Sequence, residues 1–177
     1  YFNAANVDTN GIDIEINYSF DTDLGSLNIG VRGTHILKYE IPDASGGSKD
    51  VVGLFNHDNF ARSLPETKII LNADLINNQH RFSLLGRYTS DYKTTRVLSS
   101  SAVELGYNQN IDEWLSIDSR YNYSFEFDEN QMQFSLGIKN IFDENAPQVY
   151  DAANFSYDPR QHDPRGRLTY IGLKLLR

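Results

Sequence analysis

The chain has 177 residues, a formal net charge of −8 and no cysteine. The acidic balance argues against a nucleic-acid partner, because no basic face is available to replace phosphate counterions. The absence of cysteine excludes a disulfide framework and a thiolate metal site, and no apolar run approaches the roughly 18 to 20 residues of a membrane helix.

The first predicted strand covers residues 12–20, where every even position is apolar or aromatic and every odd position is polar. A period of two indicates a strand with one apolar and one polar face. After a turn at residues 21–25 the alternation resumes on odd-numbered positions at residues 27–31. The two segments are therefore predicted to form a β-hairpin.

The same alternation recurs in five further segments, and no segment shows a convincing helical period. These segments are residues 69–75, 82–88, 115–125, 132–138 and 169–175. Tyrosine and phenylalanine, which favour strands, together supply 21 residues. We therefore predict an all-β chain with about seven strands in an antiparallel up-and-down meander and no helix.

The predicted connections alternate in length. Three are short, at residues 21–25, 76–79 and 126–130. Three are long, at residues 42–65, 93–113 and 143–165, whereas loops beyond roughly 12 to 15 residues are uncommon in compact domains. Short turns on one rim and long loops on the other, joined by strands of alternating polarity, are typical of a transmembrane β-barrel. The chain would then be a fragment of such a barrel.

Aromatic residues fit this interpretation, although β-propensity alone also explains aromatics in strands. The tetrapeptide Asn-Tyr-Ser-Phe occurs at residues 17–20 and 122–125, each time where a strand enters a short turn. In a barrel, both copies would place two outward rings at the same membrane boundary, where amphipathic rings are favoured.

The last quarter of the chain carries two specific motifs. They are Gly-Ile-Lys-Asn-Ile-Phe-Asp at residues 137–143 and Tyr-Asp-Pro-Arg-Gln-His-Asp-Pro-Arg-Gly-Arg at residues 157–167. With these motifs the chain resembles the C-terminal end of TonB-dependent outer-membrane receptors, over essentially residues 1–177. The resemblance implies part of a 22-stranded transmembrane barrel in the outer membrane. The plug domain of that family has no counterpart in this chain, so we expect a C-terminal portion of a receptor.

The function implied by the resemblance is import of a scarce small-molecule ligand, of the siderophore or oligosaccharide class. The implied partners are outer-membrane lipid, that ligand and, through the missing plug, the TonB complex. Two alternatives stay open: a passive outer-membrane porin and a soluble β-sandwich binding module. A sandwich would bury the apolar strand faces against each other.

Candidate ligand-binding residues lie in the long loops at the expected extracellular mouth. They are Tyr150, Asp151, Tyr157, Arg160, His162 and Arg165 of the last loop, and Asn56, His57 and Phe60 of the first. The alternative for the last loop is a self-satisfied fold in which its arginines pair with its aspartates. The pairs would join Arg160, Arg165 and Arg167 to Asp151, Asp158 and Asp163.

No catalytic residue, cofactor or metal is predicted. The dipeptides His57-Asp58 and His162-Asp163 are not at metal-ligand spacing on a rigid element. No Gly-x-Ser-x-Gly elbow or comparable nucleophile motif is present. We therefore expect a protein that is not an enzyme.

Overall fold

Seven long antiparallel strands form the body of the structure, a computed structural model that describes residues 6–43, 45–57, 59–127, 130–150 and 156–176. Neighbours in the chain are neighbours in the sheet throughout, which confirms the predicted all-β meander. The seven strands are β1 (Asp8–Thr22), β2 (Gly25–Pro42), β6 (Thr67–Asn77), β7 (His80–Thr89), β10 (Trp114–Phe127), β11 (Asn130–Lys139) and β12 (Leu168–Leu176).

The remaining elements lie in the long connections. They are β3 (Ser48–Asp50), β4 (Leu54–Phe55), β5 (Ser63–Leu64), β8 (Tyr92–Thr94), α1 (Ser100–Glu104) and β9 (Asn110–Ile111). Strand β3 extends the sheet beside β2, and the other short strands form a second sheet in the order β5-β4-β8-β9. This second sheet includes a parallel pair, β4 with β8, which the sequence did not predict.

The register aligns the apolar positions of the long strands on one face. Across the sheet, Tyr18 pairs with Ile29, Ile29 with Ala73 and Ala73 with Leu84. The face remains open to solvent in the described chain: Ile16 is 57% exposed and Leu173 is 65% exposed. The alternation predicted from the sequence is therefore present, but its apolar side is not buried.

The opposite face is polar and is held by pairs between neighbouring strands. Arg32 forms an ion pair with Glu15 at 2.9 Å, and Arg87 forms one with Asp118, also at 2.9 Å. Arg32 and Glu15 are directly opposed in the register, whereas Arg87 and Asp118 are diagonal neighbours. Such cross-strand pairs favour one register, because a slip of one residue would bring each charge to the apolar face. The second carboxylate oxygen of Asp118 accepts the backbone N–H of Asn140 at 2.9 Å, which fixes the end of β11.

The buried apolar core lies in the loops. Tyr92, Ile111 and Val149 form a buried cluster, against which the half-buried Phe55 packs. These residues come from β4, β8, β9 and the segment after β11, so all three long connections contribute to one layer. The loops therefore form a packed cap at one end of the sheet.

One prediction was wrong: the chain contains a helix, α1. Its N-cap is Ser99, whose hydroxyl accepts the backbone N–H of Ala102 at 3.2 Å. Five residues are too few to show a helical period in the sequence, and only the serine cap signals the start. Among the described residues, no helix is long and apolar enough to cross a membrane.

Strands β11 and β12 make a close side-chain contact over a glycine. A Cβ atom at Gly137 would lie 2.3 Å from the Tyr170 ring, which covers the glycine from the adjacent strand. A Cβ atom at Gly172 would instead meet Ser135 at an ordinary 3.7 Å. A Cβ atom can therefore be added at Gly172 but not at Gly137 unless the Tyr170 ring moves.

We predict that Gly137→Ala weakens the pairing of β11 with β12 by about 1–3 kcal/mol, because the ring must leave its position or the strands must separate. The measurement is hydrogen exchange of the backbone amides of both strands. Gly172→Ala is the matched control and should change their protection by about 0.5 kcal/mol or less. Equal exchange in the two variants would contradict the role assigned to the ring contact.

Candidate functional site: a cleft beneath the last loop

The last long loop is anchored by Asp158, which is fully buried. Its carboxylate accepts the hydroxyl of Tyr92 at 2.8 Å and the backbone N–H of Arg160 at 3.0 Å. Its carbonyl accepts the backbone N–H of His162 at 3.0 Å, which closes a tight turn. Burial, and then the neighbouring carboxylate, raise the pKa of Tyr92, so its hydroxyl remains a donor at neutral pH.

A second contact ties the last loop to the first. The side-chain amide of Gln161 donates to the hydroxyl of Ser63 at 3.1 Å, across 98 positions of sequence. Together with the bond from Tyr92, this contact joins segments that follow β2, β7 and β11. The loop therefore has a defined position over the polar face.

Between this loop and the sheet lies a cleft of about 490 Å³. Its floor comes from β7, β10 and β11, and its roof comes from residues 157–168. The lining residues are Arg87, Trp114, Ser116, Asp118, Lys139, Asn140, Tyr157, Pro159, Arg160, Gln161, His162, Asp163, Pro164, Arg165, Gly166 and Leu168.

Two lining residues are buried and carry polar atoms without a hydrogen-bond partner. His162 and Trp114 are each 5% exposed, and their rings meet edge to face with centroids 5.6 Å apart. Neither ring nitrogen of the histidine nor the indole N–H has a partner among the described residues. Burial lowers the pKa of His162, and Lys68 adds to this effect while Asp158 opposes it. The imidazole is therefore neutral at pH 7.

The charged side chains of the cleft are only partly paired. Arg165 binds Asp163 through both carboxylate oxygens, with contacts of 2.7–3.1 Å, and thereby lowers the pKa of that carboxyl group. The Arg87 guanidinium is held by its ion pair with Asp118 on the floor. The side chains of Lys139 and Arg160 are exposed and have no ion pair or hydrogen bond within the described ranges. Two positive charges are thus available at the cleft.

Four of the predicted ligand-binding residues line this cleft: Tyr157, Arg160, His162 and Arg165. Tyr150 lies elsewhere, with its ring 5.5 Å from the ring of Tyr107. Asp151 lies outside the described residues. The structure thus brings together the residues of the second half of the loop.

The predicted residues of the first long loop do not line the cleft. Asn56 is buried, and its amide donates to the carbonyls of Val51 and Arg62, so it organises its own loop. His57 contacts the guanidinium of Arg96. Phe60 is 58% exposed.

The alternative of a self-satisfied loop describes part of the structure. Of the arginines and aspartates expected to pair, Arg165 binds Asp163, whereas Arg167 approaches Asp143, which was not among the expected partners, at 3.7 Å. Arg160 meets Asp158 only through its backbone N–H, and its guanidinium has no ion pair or hydrogen bond among the described residues, which do not include Asp151.

Several cleft residues were not singled out from the sequence. Trp114, the only tryptophan of the chain, begins β10, and the alternation placed Arg87, Asp118 and Lys139 on the polar face without relating them to the loop. A lone tryptophan at a strand start was the available signal. Within the described residues no group of three or more His, Cys, Asp or Glu side chains could hold a metal ion.

We predict that Tyr92→Phe loosens the last loop, because a buried carboxylate loses a donor; the expected loss is about 1.5–3 kcal/mol. Hydrogen exchange at residues 156–163 measures this loss. Tyr107→Phe is the control, since its hydroxyl has no hydrogen bond within the described chain. Unchanged protection in Tyr92→Phe would rule out the anchoring role of the bond.

A pH dependence follows from His162. Its pKa in the folded chain lies below the 6.5 of an unperturbed histidine, so the unfolded loop binds more protons as the solution is acidified. The stability of the loop is full above pH 6.5 and is lost as the pH falls from 6.5 through the lowered pKa. Exchange at residues 156–168, corrected for intrinsic rates, should accelerate over this range in the wild type.

The variant His162→Gln provides the control, because it cannot be protonated. Its loop should exchange with little dependence on pH over the same range. An identical pH dependence in the variant would assign the effect to another group.

Comparisons of the chain with protein-family models, with curated proteins and with solved structures found no match.

Proposed function

We propose that this chain is the C-terminal part of the barrel wall of a TonB-dependent outer-membrane receptor. One observation carries the proposal: the apolar face of all seven long strands is open, while the buried apolar cluster lies in the loops. A contiguous exposed apolar surface of this extent marks contact with a partner or a membrane. Lipid would cover it along the whole length of the strands.

The polar face and the loops are consistent with this orientation. Charged pairs such as Arg32 with Glu15 would face a wet lumen rather than lipid. The three long connections lie at one end of the sheet and pack together, whereas the turns between β1 and β2 and between β6 and β7 are short. The packed loops would form part of the extracellular mouth.

The two outer strands supply a further reason for a larger barrel. In the described chain β1 pairs only with β2, and β12 pairs only with β11. Each therefore has one edge of unpaired backbone groups, which a membrane does not tolerate. In the proposed receptor these edges would pair with other strands of a 22-stranded barrel.

The transport role follows from the family resembled. The receptor would take up a scarce siderophore or oligosaccharide, with energy delivered by the TonB complex through a plug domain. A soluble β-sandwich module would require the apolar strand faces to be covered, and they are open here. A passive porin would share the wall but would make no contact with TonB.

The orientation is tested by spin labels at four single cysteines in the full-length protein, since this chain has none of its own. Ile16→Cys and Leu173→Cys lie on the apolar face, and Glu15→Cys and Lys174→Cys are their neighbours on the polar face. We predict that oxygen, which concentrates in lipid, reaches the first two labels several-fold better than a water-soluble nickel chelate does. The second pair should show the reverse preference, and better chelate access at Ile16→Cys and Leu173→Cys would refute the membrane orientation.

Cross-linking in cells distinguishes the receptor from the porin. The full-length protein should form a cross-linked product with TonB after formaldehyde treatment. Correct spin-label accessibility without such a product would favour the passive porin.

A further inference from the structure

We propose that the cleft between residues 157–168 and the polar face of the sheet binds the oxyanion group, a carboxylate or a phosphate, of a small hydrophilic solute. Its volume of about 490 Å³ lies in the range of sites for small molecules. The assignment of this solute as transported cargo rests on the proposed function. Binding of the solute in the cleft is argued independently, from the residues that line it.

The first reason is the local charge. The cleft is lined by four cationic side chains and two carboxylates, although the whole chain has a net charge of −8. Arg87 and Arg165 are each paired with a carboxylate. Lys139 and Arg160 remain, one on the floor and one on the roof, so an oxyanion between them would be approached from both sides.

The second reason is a set of polar atoms left without partners. The indole N–H of Trp114, both ring nitrogens of His162 and the side-chain oxygen of Gln161 are buried and have no hydrogen-bond partner in the part of the chain that the structure describes. Unpaired buried polar groups are unfavourable, and native structures rarely keep several together without a function. The indole N–H and one N–H of the neutral imidazole are donors, and the other imidazole nitrogen and the amide oxygen are acceptors. Two donors and two acceptors suit a ligand that has both an oxyanion and hydroxyl groups.

The loop places exposed cations and buried polar atoms in the same cleft. The roof is fixed at Asp158 and through the amide of Gln161, whereas Arg160 and Arg165 are exposed. Lys139 and Arg160, which form no ion pair or hydrogen bond within the described residues, would contact the oxyanion first. Trp114 and His162 line the same cleft, so their polar atoms would be offered to the other oxygen atoms of the ligand.

The experiment is calorimetric titration of the full-length protein in detergent with glucuronate, glucose 6-phosphate and glucose. We expect one or both of the anionic sugars to bind and glucose not to bind measurably. The relative affinity of the two anions identifies the oxyanion as carboxylate or phosphate. Equal binding of glucose, or no binding of either anion, would overturn the proposal.

Variants locate the binding. The double variant Lys139→Gln with Arg160→Gln should weaken binding of the anion about tenfold or more, since two charge-assisted contacts are lost. Arg32→Gln removes an exposed charge of the same polar face outside the cleft and should leave the affinity unchanged. Equal losses in both variants would show a nonspecific charge effect and would contradict the assigned cleft.

A second variant covers the case in which the double variant fails to fold. Trp114→Phe keeps an aromatic ring but removes the N–H, and it should weaken anion binding while leaving the far-ultraviolet circular dichroism unchanged. Undiminished affinity in this variant would exclude the indole from the site.

Failure of this proposal and failure of the proposed function are separable. If the labels at Ile16→Cys and Leu173→Cys face lipid but neither anion binds, the receptor proposal stands and the cleft proposal is wrong. If the anions bind through Lys139 and Arg160 but the labels at positions 16 and 173 face water, the cleft proposal stands and the receptor proposal is wrong.

Discussion

The open apolar face of the seven-stranded sheet is the constraint on which the rest of the structure depends. In most antiparallel sheets one face is buried against other protein, and that burial is the main source of stability. Here the residues that would supply it, such as Ile14 and Ile171, are 51% and 72% exposed. Within the described chain nothing buries this face, and the sheet is held by backbone pairing, polar contacts and the loop cap.

The polar contacts specify register where apolar burial does not. Each long strand exchanges backbone hydrogen bonds with one or two other long strands. Side-chain pairs add to these bonds: Arg81 of β7 donates to the carboxylate of Asp74 of β6, with a nitrogen-to-oxygen distance of 2.9 Å. Partly exposed ion pairs contribute little free energy individually. Their effect is on alignment, because a shifted register would place a charge among the apolar side chains. The Tyr170 ring over Gly137 adds a steric requirement of the same kind.

The sequence allowed prediction of the features that repeat. A period of two identified all seven long strands, since each is long enough to show several alternations, and the short and long connections followed from their spacing. The second sheet, α1 and the loop anchors could not be predicted in this way. Strand β4 has two residues and α1 has five, and the contact of Tyr92 with Asp158 spans 66 positions, so no local pattern encodes them. For the same reason the loop motif indicated candidate residues but not that Trp114 and Lys139 lie beside them.

The last loop divides its residues between holding its position and forming the cleft. Asp158 accepts bonds from Tyr92 and from the backbone of Arg160 and does not line the cleft. Arg160, two positions later, has an exposed guanidinium, and His162 closes the same turn; neither side chain has a hydrogen-bond partner within the described ranges. A single turn of five residues thus combines a rigid attachment with unsatisfied groups. The prolines at positions 159 and 164 restrict the backbone on either side of His162, and both Arg160 and His162 line the cleft.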